Sequence, residues 1–202
     1  MKSKTVRCSG YSLLETIVAV GLFSFVLTMA LNIFQSINQS QKSAVASQTI
    51  QENLRYVLEV MGKEIRQGVR SDDSCYGSAV YRVYNNNSNA LVFKKIKTGK
   101  EYCVTYYLDS GRLKIRREEK DSSHNIVSTS DDFITPNDIE IASFNFDVFD
   151  NNITAFPEDK FQPRVILRIG AQMRNGQELF KQPILVQTAI SSRMYGDEIY
   201  DD

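Results

Sequence analysis

The chain has 202 residues, and its 24 lysine and arginine residues balance 24 aspartate and glutamate residues to a formal net charge of zero. This balance argues against a protein that binds nucleic acid through bulk positive charge. With 10 glycines and 4 prolines the chain is not collagen-like, and one histidine with three cysteines excludes most histidine-based metal sites and any four-thiolate site.

The first predicted element is an apolar segment, residues 13–34, in which Glu15 is the only charged side chain. Its length is close to the roughly 20 residues that a helix needs to cross the hydrocarbon core of a membrane. Lys2, Lys4 and Arg7 precede it, and no acidic residue accompanies them. Because positive flanks stay on the cytoplasmic side, we place the N-terminus inside and the chain after about Gln41 outside.

The helical pattern continues beyond the apolar segment. Apolar residues recur at spacings of three and four up to residue 69, which is typical of a helix with one buried face. We therefore expect a single helix from about Tyr11 to Gly68, roughly 85–90 Å long at about 1.5 Å per residue. Its first half would lie in lipid, and its second half would place one stripe on a globular domain. The stripe consists of Ile50, Leu54, Val57, Leu58, Met61, Ile65 and Val69.

The rest of the chain reads as short strands separated by turns. Residues 109–111 (DSG) and 175–176 (NG) are typical hairpin turns, and the alternation over residues 139–148 slips once, which indicates a β-bulge. Pro183 restricts its strand to a sheet edge or a bulge. The predicted fold class is α+β, a long N-terminal helix packed on a C-terminal antiparallel β-sheet domain. Strand-like runs begin at Ala90, Tyr102, Arg112, Ile139, Arg164 and Leu179.

Several interpretations of the N-terminal segment compete. A plain signal anchor leaves Glu15 unexplained, since a carboxylate in the bilayer costs about 2.5–3.5 kcal/mol even on a lenient scale. A cleaved secretory signal with its site at residues 44–46 (AVA) requires an apolar stretch of about 7–15 residues. The stretch here is longer, and such a cut would split the helix. A lipoprotein anchor at Cys8 is excluded because Cys8 precedes the apolar run.

A fourth interpretation accounts for all of these features. Residues 9–20, SGYSLLETIVAV, resemble the leader junction of type IV prepilins and pseudopilins. That family has a basic leader ending in glycine, then an aromatic residue, Ser or Thr, two aliphatic residues, Glu and a long apolar helix. Here Tyr11 replaces the usual phenylalanine, and the helix lacks the proline that many pilins carry. Residues 51–68 resemble the second half of this helix in J-type minor pseudopilins and W-type minor pilins.

The resemblance implies a role for three residues. Gly10 would end the leader, a prepilin peptidase would cut between Gly10 and Tyr11, and the new amine of Tyr11 would be N-methylated. Glu15 would pair with the Tyr11 amine of a neighbouring subunit, an ion pair that offsets the burial of both charges. The alternative for Glu15 is a tolerated acid near the membrane edge. The implied partners are the peptidase, other pilins or pseudopilins, an inner-membrane assembly platform and membrane lipid.

The sequence thus divides into five predicted segments. Residues 1–10 form the leader, residues 11–38 the transmembrane or filament-core helix, and residues 39–70 the amphipathic second half of that helix. Residues 71–194 form a β-rich domain, and residues 195–202 an acidic flexible tail.

The cysteines and the charged clusters leave alternatives open. Cys8 would leave with the leader, so Cys75 and Cys103 remain as an even pair that either forms a disulfide or stays as two buried thiols. Acidic and amide residues between 147 and 159 are candidates for calcium, although a solvated loop is favoured. A polyanion-binding face is the less favoured interpretation of the basic strand residues Lys94, Lys95, Lys97, Lys114, Arg116 and Arg117.

We predict a structural subunit rather than an enzyme, because His124 lies in a polar loop and no phosphate loop, nucleophile motif or metal motif is present. The expected function is a minor pseudopilin or pilin-like subunit of a type II secretion pseudopilus or a type IV pilus. No cofactor, metal or nucleic acid is expected. The expected location is the inner membrane, spanned once, with the β-rich domain extracytoplasmic. The alternative is a single-span anchored β-domain that binds or senses a ligand.

Overall fold

The fold is described from a computed structural model over residues 12–70, 75, 79–84, 89–149, 162–174 and 183–192. The chain divides into two compact units, residues 1–45 and 46–202. Helix α1, Leu13–Ile65, belongs to both units, and antiparallel β-strands follow it. This order confirms the α+β class.

The first part of α1, residues 13–34, is apolar apart from Glu15 and a few small polar residues. The large apolar side chains between Leu13 and Ile37 are 48–77% exposed. Three hydroxyl groups in this stretch donate to carbonyl oxygens of the same helix, each at 2.8 Å: Thr16 to Leu13, Ser24 to Val20 and Thr28 to Phe25. These bonds satisfy polar groups locally, which is the condition for a helix in an apolar medium.

The second part of α1 buries one stripe. Its buried members, Ile50, Leu54, Val57, Met61 and Ile65, belong to the same hydrophobic core as residues of the strands. Two members of the predicted stripe are not among these buried residues. Leu58 is only partly buried, and Val69 lies in a β-strand rather than in the helix.

The helix ends three residues earlier than Gly68, where the sequence pattern places its end. Strand β1, Gly68–Val69, begins there and pairs with Lys94 and Lys95. The hydroxyl of Tyr81 donates to the Ile65 carbonyl oxygen at 2.6 Å and so satisfies an orphan acceptor of the last turn. A side chain at Gly68 would meet the Tyr81 ring at 2.8 Å, so this contact requires glycine.

The first sheet contains six strands. Its path is β1-β3-β4-β5-β6, and β2 also pairs with β3. All of its pairings are antiparallel. Its further strands are β2, Tyr81–Val83; β3, Ala90–Lys97; β4, Lys100–Asp109; β5, Arg112–Lys120; and β6, Ile126–Phe133.

Tight turns join the central strands of this sheet. Asp109 pairs with Arg112, which leaves Ser110 and Gly111 as a two-residue loop with φ values of 52° and 74°. Positive φ at both positions is typical of the type I′ turn, whose twist matches that of antiparallel strands. The hairpin predicted at residues 109–111 is therefore confirmed. Thr98 and Gly99 form an equivalent turn between β3 and β4, with φ values of 53° and 74°.

The second sheet has the order β7-β8-β9, with β7 at Ile139–Phe149, β8 at Arg164–Met173 and β9 at Ile184–Ser191. The register between β7 and β8 shifts between Ile141 and Ser143, which confirms the predicted bulge. Pro183 immediately precedes the edge strand β9, where no ladder bond needs its missing N–H. The turn predicted at residues 175–176 and the predicted tail lie outside the described residues.

Strand β6 has no counterpart among the sequence predictions. Its sequence, IVSTSDDF, is mostly polar, and all eight residues are exposed. A strand without a buried face lacks the two-residue alternation by which strands are recognised. Pairing with β5 alone places it in the sheet.

Candidate functional site

The candidate site lies at the N-terminal end of α1. Gly10 and Tyr11, the predicted cleavage and methylation residues, lie outside the described residues. Glu15 lies in the first turn of the helix and is exposed. An acidic side chain is favoured there because the N-terminal end of a helix carries partial positive charge.

Glu15 makes no hydrogen bond or ion pair within the described part of the chain, whereas the hydroxyl groups of Thr16, Ser24 and Thr28 all bond to the helix. Among the described helices, α1 is long enough and apolar enough to cross a membrane. This apolar stretch therefore presents a carboxylate that no cationic side chain in the described structure pairs with. The sequence alone locates this residue, because no tertiary contact defines it.

The two cysteines of the β-rich domain are joined. The structure connects Cys75 to Cys103 by a disulfide with a Cα–Cα distance of 5.5 Å. Both are buried, with 4% and 1% of their surface exposed. The bridge ties the chain ten residues after the end of α1 to strand β4.

The disulfide yields a testable prediction. Replacing both Cys75 and Cys103 with serine should lower the free energy of unfolding by about 3–4 kcal/mol, because the bridge closes a loop across 28 positions. Urea unfolding of the variant and the wild type, compared without reductant, measures this difference. Peptide mapping without reductant should recover Cys75 linked to Cys103. Complete alkylation of both thiols in the unreduced protein would contradict the bridge.

The basic strand residues engage carboxylates. Lys94 is 2% exposed, and its Nζ lies 2.7 Å from Oε1 of Glu101. Lys114 pairs with Asp109 at 2.9 Å. Lys97 carries no such pair among the described contacts. The face that sequence inspection marks as cationic therefore has most of its charge compensated locally, which the linear sequence does not reveal.

Glu64, near the end of α1, contacts two more of these basic residues. Its Oε1 lies 2.9 Å from Nη2 of Arg117 and 3.7 Å from Nζ of Lys95. The hydroxyl of Tyr106 donates to Oε2 at 3.2 Å. Burial, together with the neighbouring Glu64 charge, raises the pKa of Tyr106 far above its usual value, so the hydroxyl remains a donor. Glu64 therefore connects the last helical turn to three strands, β3, β4 and β5.

The residues that the sequence marks as candidates for catalysis or calcium binding do not come together in the described structure. His124 has a left-handed backbone, with φ 62°, in the loop before β6, and its Nδ1 lies 3.9 Å from Oε2 of Glu101. Asp147, one of the calcium candidates, pairs with Arg168 at 2.5 Å. Asp150, Asn151, Asn152, Glu158 and Asp159 lie outside the described residues. Within the ranges that the structure describes, no three metal-ligating residues form a cluster.

A concave surface lies on the first sheet, on the face shared by Thr105, Tyr107, Arg116 and Glu118. Tyr84 and Asn89 complete its wall, and its volume is about 380 Å³. The hydroxyl of Tyr107 donates to Asp131, at 2.9 Å to Oδ1 and 2.8 Å to Oδ2, and Arg116 lies 5.2 Å above the Tyr107 ring. Sequence inspection does not identify this surface because its residues come from separate strands.

Comparison with known proteins does not assign the chain to a family. No protein-family model matches the chain, and neither curated proteins nor solved structures provide a match. What is established is therefore the architecture, in which an apolar helix able to cross a membrane leads into an antiparallel β-domain.

Proposed function

We propose that this chain is a pilin-like structural subunit that enters the membrane as a precursor and assembles through α1 into a type II secretion pseudopilus or a type IV pilus. A prepilin peptidase removes residues 1–10, and the β-rich domain remains extracytoplasmic. The observation that carries the proposal is Glu15, the only charged residue in an apolar helical segment whose large side chains are exposed.

The energetics of Glu15 support assembly. A carboxylate within the bilayer costs about 2.5–3.5 kcal/mol, a cost that an ordinary anchor avoids by using an apolar residue. The amine created at Tyr11 of a neighbouring subunit supplies the missing positive charge. Because an ion pair forms at one axial offset between two helices, it also defines the stagger of adjacent subunits.

The length of α1 supports the same proposal. A helix of 53 residues provides more than twice the roughly 20 residues that a membrane requires. Among the described residues, the large apolar side chains of the first part of α1 are all exposed, so another surface must cover them. Lipid covers them in the precursor, and the helices of neighbouring subunits cover them in the filament.

The processing step provides the direct test. The mature protein, extracted from membranes, should have an intact mass that corresponds to a chain beginning at N-methyl-Tyr11. The leader should be retained when Gly10 is replaced by a bulkier residue such as valine. A chain that begins at Ser47 would identify a secretory signal, and an uncut chain beginning at Met1 would identify an anchor. Either outcome contradicts the proposal.

The concave surface favours a second candidate, an anchored protein whose β-domain binds a ligand. Its two tyrosines, Arg116 and Glu118 could contact a small polar ligand, as in other sites that combine aromatic and charged groups. An anchored binding protein needs neither cleavage after Gly10 nor a carboxylate at Glu15. The mass measurement therefore distinguishes the two candidates.

A further inference from the structure

Within the described part of the chain, the outer edge of β6 is unpaired. The strand lies at the end of the path β1-β3-β4-β5-β6, and no described strand pairs with its other side. All eight residues are exposed. Three of them are apolar: Ile126 is 53%, Val127 62% and Phe133 44% exposed. Long exposed edges of this kind are templates for pairing with another strand.

The register shows which backbone groups face outward. Ile134 N–H donates to the Leu113 carbonyl oxygen at 2.9 Å, which makes these two a hydrogen-bonded pair of the β5–β6 ladder. Such pairs alternate with pairs that exchange no bonds. Counting along the register, Thr129, Asp131 and Phe133 occupy the intervening positions. Their N–H and C=O groups therefore point away from β5, ready to bond to an added strand.

The charges of β6 do not protect this edge. Acidic residues on an edge strand usually repel a second strand. Here Asp131 pairs with Arg116 at 3.1 Å, and Asp132 lies 3.7 Å from Arg117. Burial acts to raise the pKa of Asp131, but the hydrogen bonds from Tyr107 and Arg116 outweigh it and hold this pKa below its usual value. Asp131 thus stays ionised, and cations of the same chain lie beside both carboxylates.

The sequence of β6 complements itself about Ser130. In an antiparallel pairing of two copies centred there, Thr129 lies opposite Asp131 and Val127 lies opposite Phe133. The first pair joins a hydroxyl to a carboxylate, and the second joins a β-branched to an aromatic side chain, both favourable across strands. The outward backbone groups of residues 129 and 131 then form the hydrogen-bonded pairs on either side of Ser130. Val127 also lacks a partner in the β5–β6 register, where the ladder shifts.

We propose that β6 pairs with β6 of a second copy of this chain, antiparallel and centred on Ser130. The pairing joins the two first sheets into one continuous sheet. Such a two-fold contact closes on itself and does not propagate. It is therefore separate from the filament contact through Glu15 and does not depend on the proposed function.

Strand β9, an edge strand of the second sheet, does not have the same symmetry about its centre at Thr188. By the register and the bond from Ser192 N–H to the Pro163 carbonyl oxygen, Leu185, Gln187 and Ala189 direct their backbone groups outward. A two-fold pairing of β9 about Thr188 would oppose Gln187 to Ala189 and Leu185 to Ser191. Neither pair joins two apolar side chains, and neither joins a charged group to a hydrogen-bond donor. Strand β9 therefore serves as the control strand in the crosslinking experiment below.

Disulfide trapping tests the centre of the pairing. Ser130 would lie opposite its own copy at a Cα–Cα distance of about 4.5 Å, within the range that a disulfide spans. Full-length protein carrying Cys8→Ser and Ser130→Cys, oxidised in detergent, should shift from 23.0 kDa to twice that mass on a non-reducing gel. The Gln187→Cys control, exposed on the other edge, should remain monomeric. Equal crosslinking of both variants would indicate random collision and overturn the proposal.

Mixed trapping tests the register. Ser128 of one copy would lie opposite Asp132 of the other, so Ser128→Cys and Asp132→Cys proteins should crosslink when mixed and not when oxidised separately. A product from either variant alone would overturn the register centred on Ser130. A product between Ser130→Cys and Gln187→Cys proteins would instead show that β6 meets β9 of the next copy, which also overturns the proposal.

A backbone change tests the hydrogen bonding. Thr129→Pro removes an N–H that faces outward, so it spares the β5–β6 ladder, and proline is tolerated on edge strands. It should raise the dimer dissociation constant about tenfold or more, because each of the two copies loses one hydrogen-bond donor at the interface. Thr129→Val keeps the N–H and loses only the hydroxyl that faces Asp131, so it should weaken the dimer less than Thr129→Pro does. Sedimentation in detergent measures both, and formation of the Cys75–Cys103 disulfide verifies folding. An undiminished dimer in Thr129→Pro would overturn the proposal.

Discussion

The Glu15→Leu variant should be cleaved and inserted like the wild type but should lose association with partner subunits. Leucine suits the bilayer better than a carboxylate, so the precursor should remain in the membrane at least as firmly. The assembled form, in contrast, would bury the Tyr11 amine of a neighbour without a counter-charge. Removing one partner of a buried ion pair costs about 3–5 kcal/mol, which is a loss of more than two orders of magnitude in association.

In-membrane crosslinking to co-expressed pilins or pseudopilins measures the effect of this substitution. Thr16→Leu is the matched control, since it places the same side chain at the next position and removes a hydroxyl that already bonds to its own helix at 2.8 Å. Its crosslinking should resemble that of the wild type. Unchanged crosslinking of Glu15→Leu would mean that Glu15 is incidental, and the anchored binding protein would become the better explanation.

The Glu64→Leu variant should destabilise the β-rich domain by about 3 kcal/mol, the lower end of the cost of breaking a buried pair. Glu64 is only 15% exposed and is bonded to Arg117 and Tyr106. Leucine would leave the Tyr106 hydroxyl, which is fully buried, without its acceptor. Arg117 is 34% exposed, so water can replace part of its lost contact, and this places the effect at the lower end.

Glu59→Leu provides the control for Glu64. Glu59 lies five residues earlier on the same helix and pairs with Lys63 at 3.0 Å on the exposed surface. Exposed pairs of this kind contribute little to stability. The chain contains no tryptophan, so urea unfolding is best followed by circular dichroism or tyrosine fluorescence. Equal midpoints for the two variants would contradict a role of Glu64 in joining the helix to the strands.

Elements with strong periodicity are predictable from the amino-acid sequence by itself. The buried stripe of α1 follows the 3.6-residue repeat, because a helix that buries one face must place apolar residues at that spacing. The Ser110–Gly111 turn and the bulge of β7 are also local signals, because backbone conformation is determined by a few adjacent residues. Glu15 belongs to this group, since its significance comes from the apolar residues beside it in the sequence.

Tertiary structure decided the features that depend on residues far apart. The end of α1 at Ile65 rather than Gly68 reflects the pairing of β1 with β3 and the Tyr81 hydroxyl at the helix terminus. Strand β6 has no apolar alternation and exists because β5 offers it a ladder of backbone bonds. The bonds of Glu64 span 42 and 53 positions along the chain, and pairwise charge contacts at such separations leave no periodic trace in the sequence. Local chemistry therefore determined the elements, whereas strand pairing and long-range ion pairs determined where they end and what their charges face.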